Sequence, residues 1–288
     1  MKNFFPFLVF LILIGCKNDP KHDNTDIDIE QTQKENLDSL KISDKDIDQQ
    51  LRTLNLKRRE LLEKKDQREE LENLVISKSF YKEGDKLILD FEYPYLNETI
   101  KPSYANFNDY ISKHFIDVKS LEKQMEEEKR RCDSMGITQG NEKRIVEYKI
   151  YNLNDRLISV LFYKENHYAG ATHASYTFET LNFDLEQASF MKFEDFFSDG
   201  SEEELRKILN AELKEKINSG DMYYDCWSVS DEDFYLAKNN FLITDDAVEY
   251  YFDDCVICPS YTGTYSIKIP LETLKPILRN HKRNPLLN

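Results

Sequence analysis

Arg144-Ile-Val-Glu-Tyr-Lys-Ile-Tyr-Asn-Leu-Asn-Asp-Arg-Leu-Ile-Ser-Val-Leu-Phe-Tyr-Lys-Glu-Asn166 is the stretch that decides the fold. Arg144 to Leu153 and Arg156 to Asn166 are rich in β-branched and aromatic residues, and Asn154-Asp155 sits between them as a turn. That order of residue types predicts a β-hairpin. Working outward, Lys86-Leu-Ile-Leu-Asp-Phe-Glu-Tyr93 alternates and reads as a strand, and Ser175 to Leu185 reads as another. Phe241 to Thr244 and Val248 to Phe252 predict a second hairpin about Asp245-Asp246, and Tyr265 to Ile269 a last strand.

Helical patterns interleave with these strands. Asn106 to Met135 reads as one long helix whose apolar face is Phe107, Tyr110, Ile111, Phe115, Val118, Leu121 and Met125, with Gly136 as its stop. Ser201-Glu-Glu-Glu204 has the form of a capping box that opens a helix to about Ile217. Leu271 to Arg279 predicts a short last helix. The expected class is α+β, a mainly antiparallel sheet covered by helices. With 18 Phe and 17 Tyr, a substantial core is expected within residues 77–280.

The N-terminal quarter has a different character. Phe4 to Ile14 is apolar except for Pro6, follows Lys2, and ends in Leu13-Ile14-Gly15-Cys16. The run is shorter than the roughly 20 residues of a spanning helix and has the length of a secretory apolar region. It resembles a bacterial lipoprotein signal peptide. The resemblance implies cleavage before Cys16, acylation of that cysteine, and a lipid-anchored place in the cell envelope, at the outer membrane of a Gram-negative bacterium. Lys17 and Asp19 resemble the lysine-plus-acid export tags of Bacteroidetes surface lipoproteins. Residues 16–42 are polar and predict a tether. From Ser43 a capped helix is expected. Leu40, Ile47, Leu54, Leu61 and Val75 share a seven-residue spacing that Arg68 interrupts. The reading is a helical stalk over 43–76 of roughly 30 residues, about 45 Å long at 1.5 Å per residue. It is either a weak coiled coil or a helix lying on its own domain. The expected division is then signal peptide 1–15, tether 16–42, stalk 43–76, two halves of a domain at 77–165 and 166–280, and a tail at 281–288.

The formal charge of −15 becomes −16 once Lys2 leaves with the signal peptide. Such a chain repels phosphate backbones, so nucleic acid is not an expected partner. Basic proteins are favoured instead. After Cys16, the cysteines are Cys132, Cys226, Cys255 and Cys258, which in an exported protein permit three disulfide connectivities. Cys255-Val-Ile-Cys258 has redox or metal spacing, but there is no second Cys-x-x-Cys and Pro259 follows in an extended segment. A bridge from Cys226 to Cys255 or Cys258 is expected.

No catalytic set, metal site or cofactor site emerges. His167 and His173 flank a glycine loop at a spacing unlike that of a ligand pair. Phe252-Asp253-Asp254 has the acidic pair of polysaccharide deacetylases, but no His-x-x-x-His accompanies it.

Two segments together resemble a family. Tyr168-x-Gly170-x-x-His173 precedes a strand ending Asn182-Phe183-Asp184. Phe241 to Phe252 is followed by Pro259-x-Tyr261-x-Gly263 and Ile267-Lys-Ile-Pro270. This order resembles the extracytoplasmic domain shared by the lysozyme-sensing anti-sigma-V factor and the accessory region of a peptidoglycan deacetylase, over some 200 residues beyond the stalk. The family's usual Gly-Gly-Ala-His is here Gly170-Ala171-Thr172-His173, and Cys255 and Cys258 stand beside the Pro–Tyr loop. A spanning helix and a sigma-binding part are not expected here, which argues against direct sigma-factor sequestration. The resemblance implies a non-enzymatic binding protein that recognises lysozyme or a related cell-wall ligand. Its contact residues would be Tyr168, Gly170, His173, Pro259, Tyr261 and Gly263, on two loops at one rim of the sheet. The other readings are a peptidoglycan-modifying enzyme using Asp253, Asp254 and His173, and a structural envelope lipoprotein.

Overall fold

The computed structural model describes residues 59, 63–84, 86–136, 142–168, 174–219, 228–252 and 265–287. Six strands form one sheet in sequence order: β1 (Val75–Glu83), β2 (Leu87–Leu96), β3 (Glu142–Leu153), β4 (Leu157–His167), β5 (Ser175–Asp184) and β6 (Ser189–Met191). All neighbours are antiparallel except β2 and β3. That parallel pair is joined through α1 (Ala105–His114) and α2 (Val118–Ser134). A second, antiparallel sheet holds β7 (Phe241–Ile243), β8 (Ala247–Phe252) and β9 (Tyr265–Pro270). The further α-helices among the residues from Val75 on that are described are α3 (Phe193–Phe196), α4 (Glu202–Ser219), α5 (Asp231–Ala237) and α6 (Leu271–Leu274). The class is α+β.

Strand alternation explains the layers. Val146, Tyr148 and Ile150 of β3 and Ile158, Val160 and Phe162 of β4 share one face and pack on Phe107, Ile111 and Phe115 at α1. Leu161 and Tyr163 point the other way and meet Phe178, Leu242 and Tyr251. Every residue from Leu157 to Tyr163 is therefore buried, as expected of a strand covered on both faces. The small sheet turns Val248, Tyr250 and Phe252 toward Leu205, Leu209 and Leu213 of α4. The order is helix, six-stranded sheet, three-stranded sheet, helix.

The hairpin about Asn154-Asp155 forms as read. Both turn residues have positive φ, 54° and 51°, the left-handed pair that asparagine and aspartate tolerate best. The single helix expected over 106–135 is two. Phe115 leaves the helix to stack on Phe162 at 4.0 Å, and Asp117 accepts from the Ser120 amide to start the next helix. The helix after Ser201 forms, but Ser201 Oγ has no partner, so its cap bond is absent. The working box is at Ser230 and Asp233, which opens α5. The last helix is shorter than read, because Pro276 diverts it into a 3-10 turn at Lys275–Ile277.

The helical reading of 43–76 fails at its C-terminal end. Arg59 and Glu63 are helical, and the other residues up to 62 lie outside the described set. Residues 64–67 are bent or irregular, residues 68–74 form turns, and Val75 begins β1. Packing explains the change. β2 pairs with β3 only as far as Val146. Beyond it the free edge of β3 is taken by this segment. The Gln67 amide donates to Ile150 O at 2.9 Å, and Gln67 Oε1 accepts from the Asn152 amide. Leu71 and Leu74 pack beside the buried Val75. The N-terminal segment is thus part of the core.

A polar seam joins the sheets. Asn240 Oδ1 accepts from the Thr180 amide at 2.9 Å, and its Nδ2 donates to Phe178 O at 2.8 Å and Tyr251 O at 3.0 Å. The Asn240 amide thereby stands in for a neighbouring strand along β5. Buried Asn182 donates to Phe241 O at 2.9 Å and accepts from Ser159, whose oxygen accepts from the Ile243 amide. Lys64 closes the same junction by bonding Glu249 and, at 2.7 Å, Tyr251 Oη.

Replacing Asn240 with Ala strands two donors, the amide and hydroxyl of Thr180, and two acceptors along the seam, and about 1–3 kcal/mol is lost for each such group if buried. Since Asn240 is partly buried, a total loss of about 3 kcal/mol in urea unfolding is expected. The Lys64–Glu249 pair makes a second prediction. Burial pushes the Glu249 carboxyl up, but the Lys64 charge and hydrogen bonds from Lys64, Ser266 and Tyr251 outweigh it and hold the group below its ordinary range. The native state is then favoured above the unfolded carboxylate pKa of about 4.3, and that contribution fades as pH falls through the lowered folded value. Lys64→Met removes the main opposing charge, so burial raises Glu249. The variant is expected to lose about 2 kcal/mol or more at pH 7, and less at pH 5 as Glu249 protonates. Denaturant melts at the two pH values check this; an equal deficit at both contradicts it.

Candidate functional site

Two hairpin mouths open at the same end of the junction. Residues 168–174 join β4 to β5, and 253–264 join β8 to β9. The strand ends that lead into them touch: Phe178 and Tyr251 lie ring to ring at 5.4 Å, and Tyr163 packs on Tyr176 at 5.8 Å and on Phe178 at 5.5 Å. Burial, with Glu249 beside it, drives the Tyr251 hydroxyl well above its ordinary pKa, so it serves here as a neutral polar group.

Of the six residues read as loop contacts, Tyr168 is described. It is 45% exposed, with the Arg144 guanidinium 4.0 Å from its ring centroid. Gly170, His173, Pro259, Tyr261 and Gly263 lie outside the described residues, as do Asp253, Asp254, Cys16, Cys226, Cys255 and Cys258. Cys132 is placed within α2.

Beside Tyr168 is a cleft of about 310 Å³ between the sheet and the start of α2. Its floor is a cross-strand grid. Phe91, Val146 and Lys164 form one row across β2, β3 and β4, and Arg144 pairs directly with Asn166 in the next. Phe115 and His114 from the end of α1, and Asp117, Leu121 and Gln124, make the opposite wall. Lys164 Nζ lies 4.4 Å over the Phe115 ring and donates to Glu179. His114 stacks on Tyr110 at 4.0 Å, with Nδ1 2.9 Å from Tyr110 O.

Arg144 is the unusual member. Its side chain is 9% exposed, and it donates one hydrogen bond, from Nη2 to Glu142 Oε2 at 3.1 Å. Glu142 is itself 3% exposed. Both residues stand on the face of β3 that otherwise carries Val146, Tyr148 and Ile150. A guanidinium has five donors. Those of Arg144 that Glu142 leaves unused have no acceptor among the described residues and are not among the fully buried unpartnered atoms, and Arg144 lines the cleft. The sequence pattern starts the strand at Arg144 and so leaves Glu142 and this site out. The available signal was a pair of opposite charges at i and i+2 on the core-facing side of a strand.

Residues 194–272, from α3 through the small sheet to α6, match the model of a family described as a protein of unknown function, DUF3298. Over 162 residues the chain is 28% identical to the peptidoglycan-N-acetylmuramic acid deacetylase PdaC of Bacillus subtilis (strain 168), covering 54% of this chain and 33% of PdaC. The chain thus spans about a third of the length of that relative, which accords with the resemblance to part of a peptidoglycan deacetylase. Two crystal structures share the fold. One is a DUF3298 member from Bacteroides fragilis, at TM-score 0.50 and 17% identity over 74% of this chain and 95% of that one. The other is a DUF3298 protein from Pseudomonas aeruginosa PAO1, at TM-score 0.51 and 15% identity over 74% and 94%. The likeness to those structures is one of fold, and the likeness to PdaC is one of sequence over half of this chain.

Proposed function

We propose that this chain is an extracytoplasmic binding module, lipid-anchored at Cys16 in the cell envelope, that recognises lysozyme or another basic cell-wall enzyme through the loops at 168–173 and 259–263. The observation that carries the reading is the sequence similarity to part of a peptidoglycan deacetylase, which supports a place at the cell wall. The net charge of −15 supports a basic partner, because complementary charge speeds encounter. The meeting of Phe178 with Tyr251 at the roots of both hairpins supports joint use of the loops. On this reading the tether and any helix over 43–62 hold the module away from the membrane. Tyr168 and Tyr261 are the aromatic anchors.

The test is surface-bound kinetics of the mature chain against a panel of lysozymes. Binding tighter than about 100 μM is expected for a basic member. Tyr261→Ala is expected to cost about 2 kcal/mol or more. Added salt is expected to slow association more than it speeds dissociation. No binding to any member, or binding indifferent to both loops, overturns the reading. Muropeptide hydrolysis abolished by Asp254→Ala would instead mark an enzyme. The anchor has its own check: Cys16→Ser is expected to remove the acyl label and release the protein from the membrane fraction.

A further inference from the structure

We infer that the cleft beneath Tyr168 is a binding site for a small carboxylate that carries an apolar or ring-shaped body. This inference does not depend on the lysozyme reading, since the cleft is built from the sheet, α2 and the turn between α1 and α2, and shares only Tyr168 with the two loops. Three observations carry it. The first is Arg144, nine-tenths buried yet bonded through a single nitrogen, with donors left over on the open side. A planar guanidinium with adjacent free N–H groups matches a carboxylate, whose two oxygens accept side by side. The second is the preorganisation of that group. Glu142 holds one edge of the guanidinium and Tyr168 covers its face, so little rotamer freedom remains to be lost when a ligand arrives. The third is the composition of the cleft. Phe91, Phe115 and Val146 supply apolar surface within reach of Arg144, and Lys164 adds a second cation on the same floor. A few fixed polar groups over an apolar lining, in about 310 Å³, are the make-up of a small-ligand pocket.

The charge balance narrows the ligand further. Arg144 is matched by Glu142 and Lys164 by Glu179, so the floor holds no large excess of positive charge. A polyanion would meet Asp117 on the opposite wall. A single carboxylate fits better than a phosphate, and its remaining bulk is expected against the aromatic rings. Two sources share this chemistry: the lactyl carboxylate of a glycan and the terminal carboxylate of a peptide.

The experiment titrates the isotope-labelled mature chain with matched pairs and follows backbone amide shifts. N-acetylmuramic acid is compared with N-acetylglucosamine, which lacks the carboxylate. N-acetylphenylalanine is compared with its primary amide. Dissociation constants of about 1 mM are expected for a lone fragment. Shifts should centre on Arg144, Val146, Lys164 and Asn166, with each acid binding at least about tenfold tighter than its neutral mate. Which acid binds more tightly identifies the source. Arg144→Lys keeps the charge and loses the planar fork, and is expected to weaken binding about tenfold. Because that change also touches buried Glu142, Gln124→Trp serves as a second variant. It fills the cleft from the helix side and is expected to abolish binding while leaving the melting temperature in place. Equal binding of acid and neutral mate, shifts centred elsewhere, no saturation by either acid, or full binding by Gln124→Trp would each overturn the inference.

Discussion

The arrangement hangs on one amide. The face of β5 that meets the small sheet packs Phe178 beside Tyr251 and Leu242, and the edge of β5 carries peptide groups at 178 and 180 that need partners. A further strand cannot supply them where the small sheet is stacked face to face. The side chain of Asn240 does so instead, accepting from the Thr180 amide and donating to Phe178 O, while its second hydrogen reaches Tyr251 O in β8. The same group therefore satisfies an edge and sets the register of one sheet upon the other. Asn182 and Ser159 repeat the device deeper in, where each is almost fully buried. Apolar contact alone would hold the layers together without specifying how far one slides along the other. The directional bonds specify it. Because the register is set, the β4–β5 and β8–β9 hairpins open at one end.

The N-terminal segment completes that constraint from outside. Asp66 and Gln67 occupy the part of β3 that β2 abandons, and Lys64 reaches the small sheet at Glu249. Arg68 lies on the Tyr148 ring at 4.1 Å, so the segment is also held by aromatic contact. Both sheets are thus tied to the place where the chain enters the domain. If the chain is anchored through Cys16, tension along the tether would reach the fold at the junction on which the register depends, rather than at a loose terminus.

What could be read from the sequence follows from where the information is local. The β3–β4 hairpin declares itself because Asn154-Asp155 supplies the turn chemistry and the flanks supply the β-branched and aromatic residues. The Asp245-Asp246 hairpin is legible for the same reason. The break between α1 and α2 was not, because neither Gly nor Pro marks it. It arises when Phe115 finds Phe162, some 47 residues away. β1 was hidden by a coincidence of spacing. Val75 continues a heptad series, yet what governs it is pairing with Leu96 in a core that no local window contains. The Arg144 site was hidden for a related reason. A charged pair at the start of a strand reads as its solvated end until α2 is seen to cover that face. Resemblance, by contrast, pointed correctly to part of a peptidoglycan deacetylase, because it draws on the order of several motifs at once.

The pair Glu142 and Arg144 is costly as a structural element. Two charges removed from water lose several kcal/mol of hydration, and apolar residues of similar volume would serve the same face at no disadvantage to stability. Within the pair, the 3.1 Å bond from Arg144 Nη2 to Glu142 Oε2 fixes one edge of the guanidinium. Its geometry is better understood as holding a guanidinium ready. Tyr168 gives that arrangement a wider reach, since its ring covers Arg144 and its backbone begins the loop that leads to His173. A ligand that displaced the ring from Arg144 would act directly on the loop proposed to meet the protein partner. Linkage then requires the reverse: a partner that drew Tyr168 outward would change the affinity of the cleft by the same factor. The two sites need not be connected through the core, because one tyrosine belongs to both.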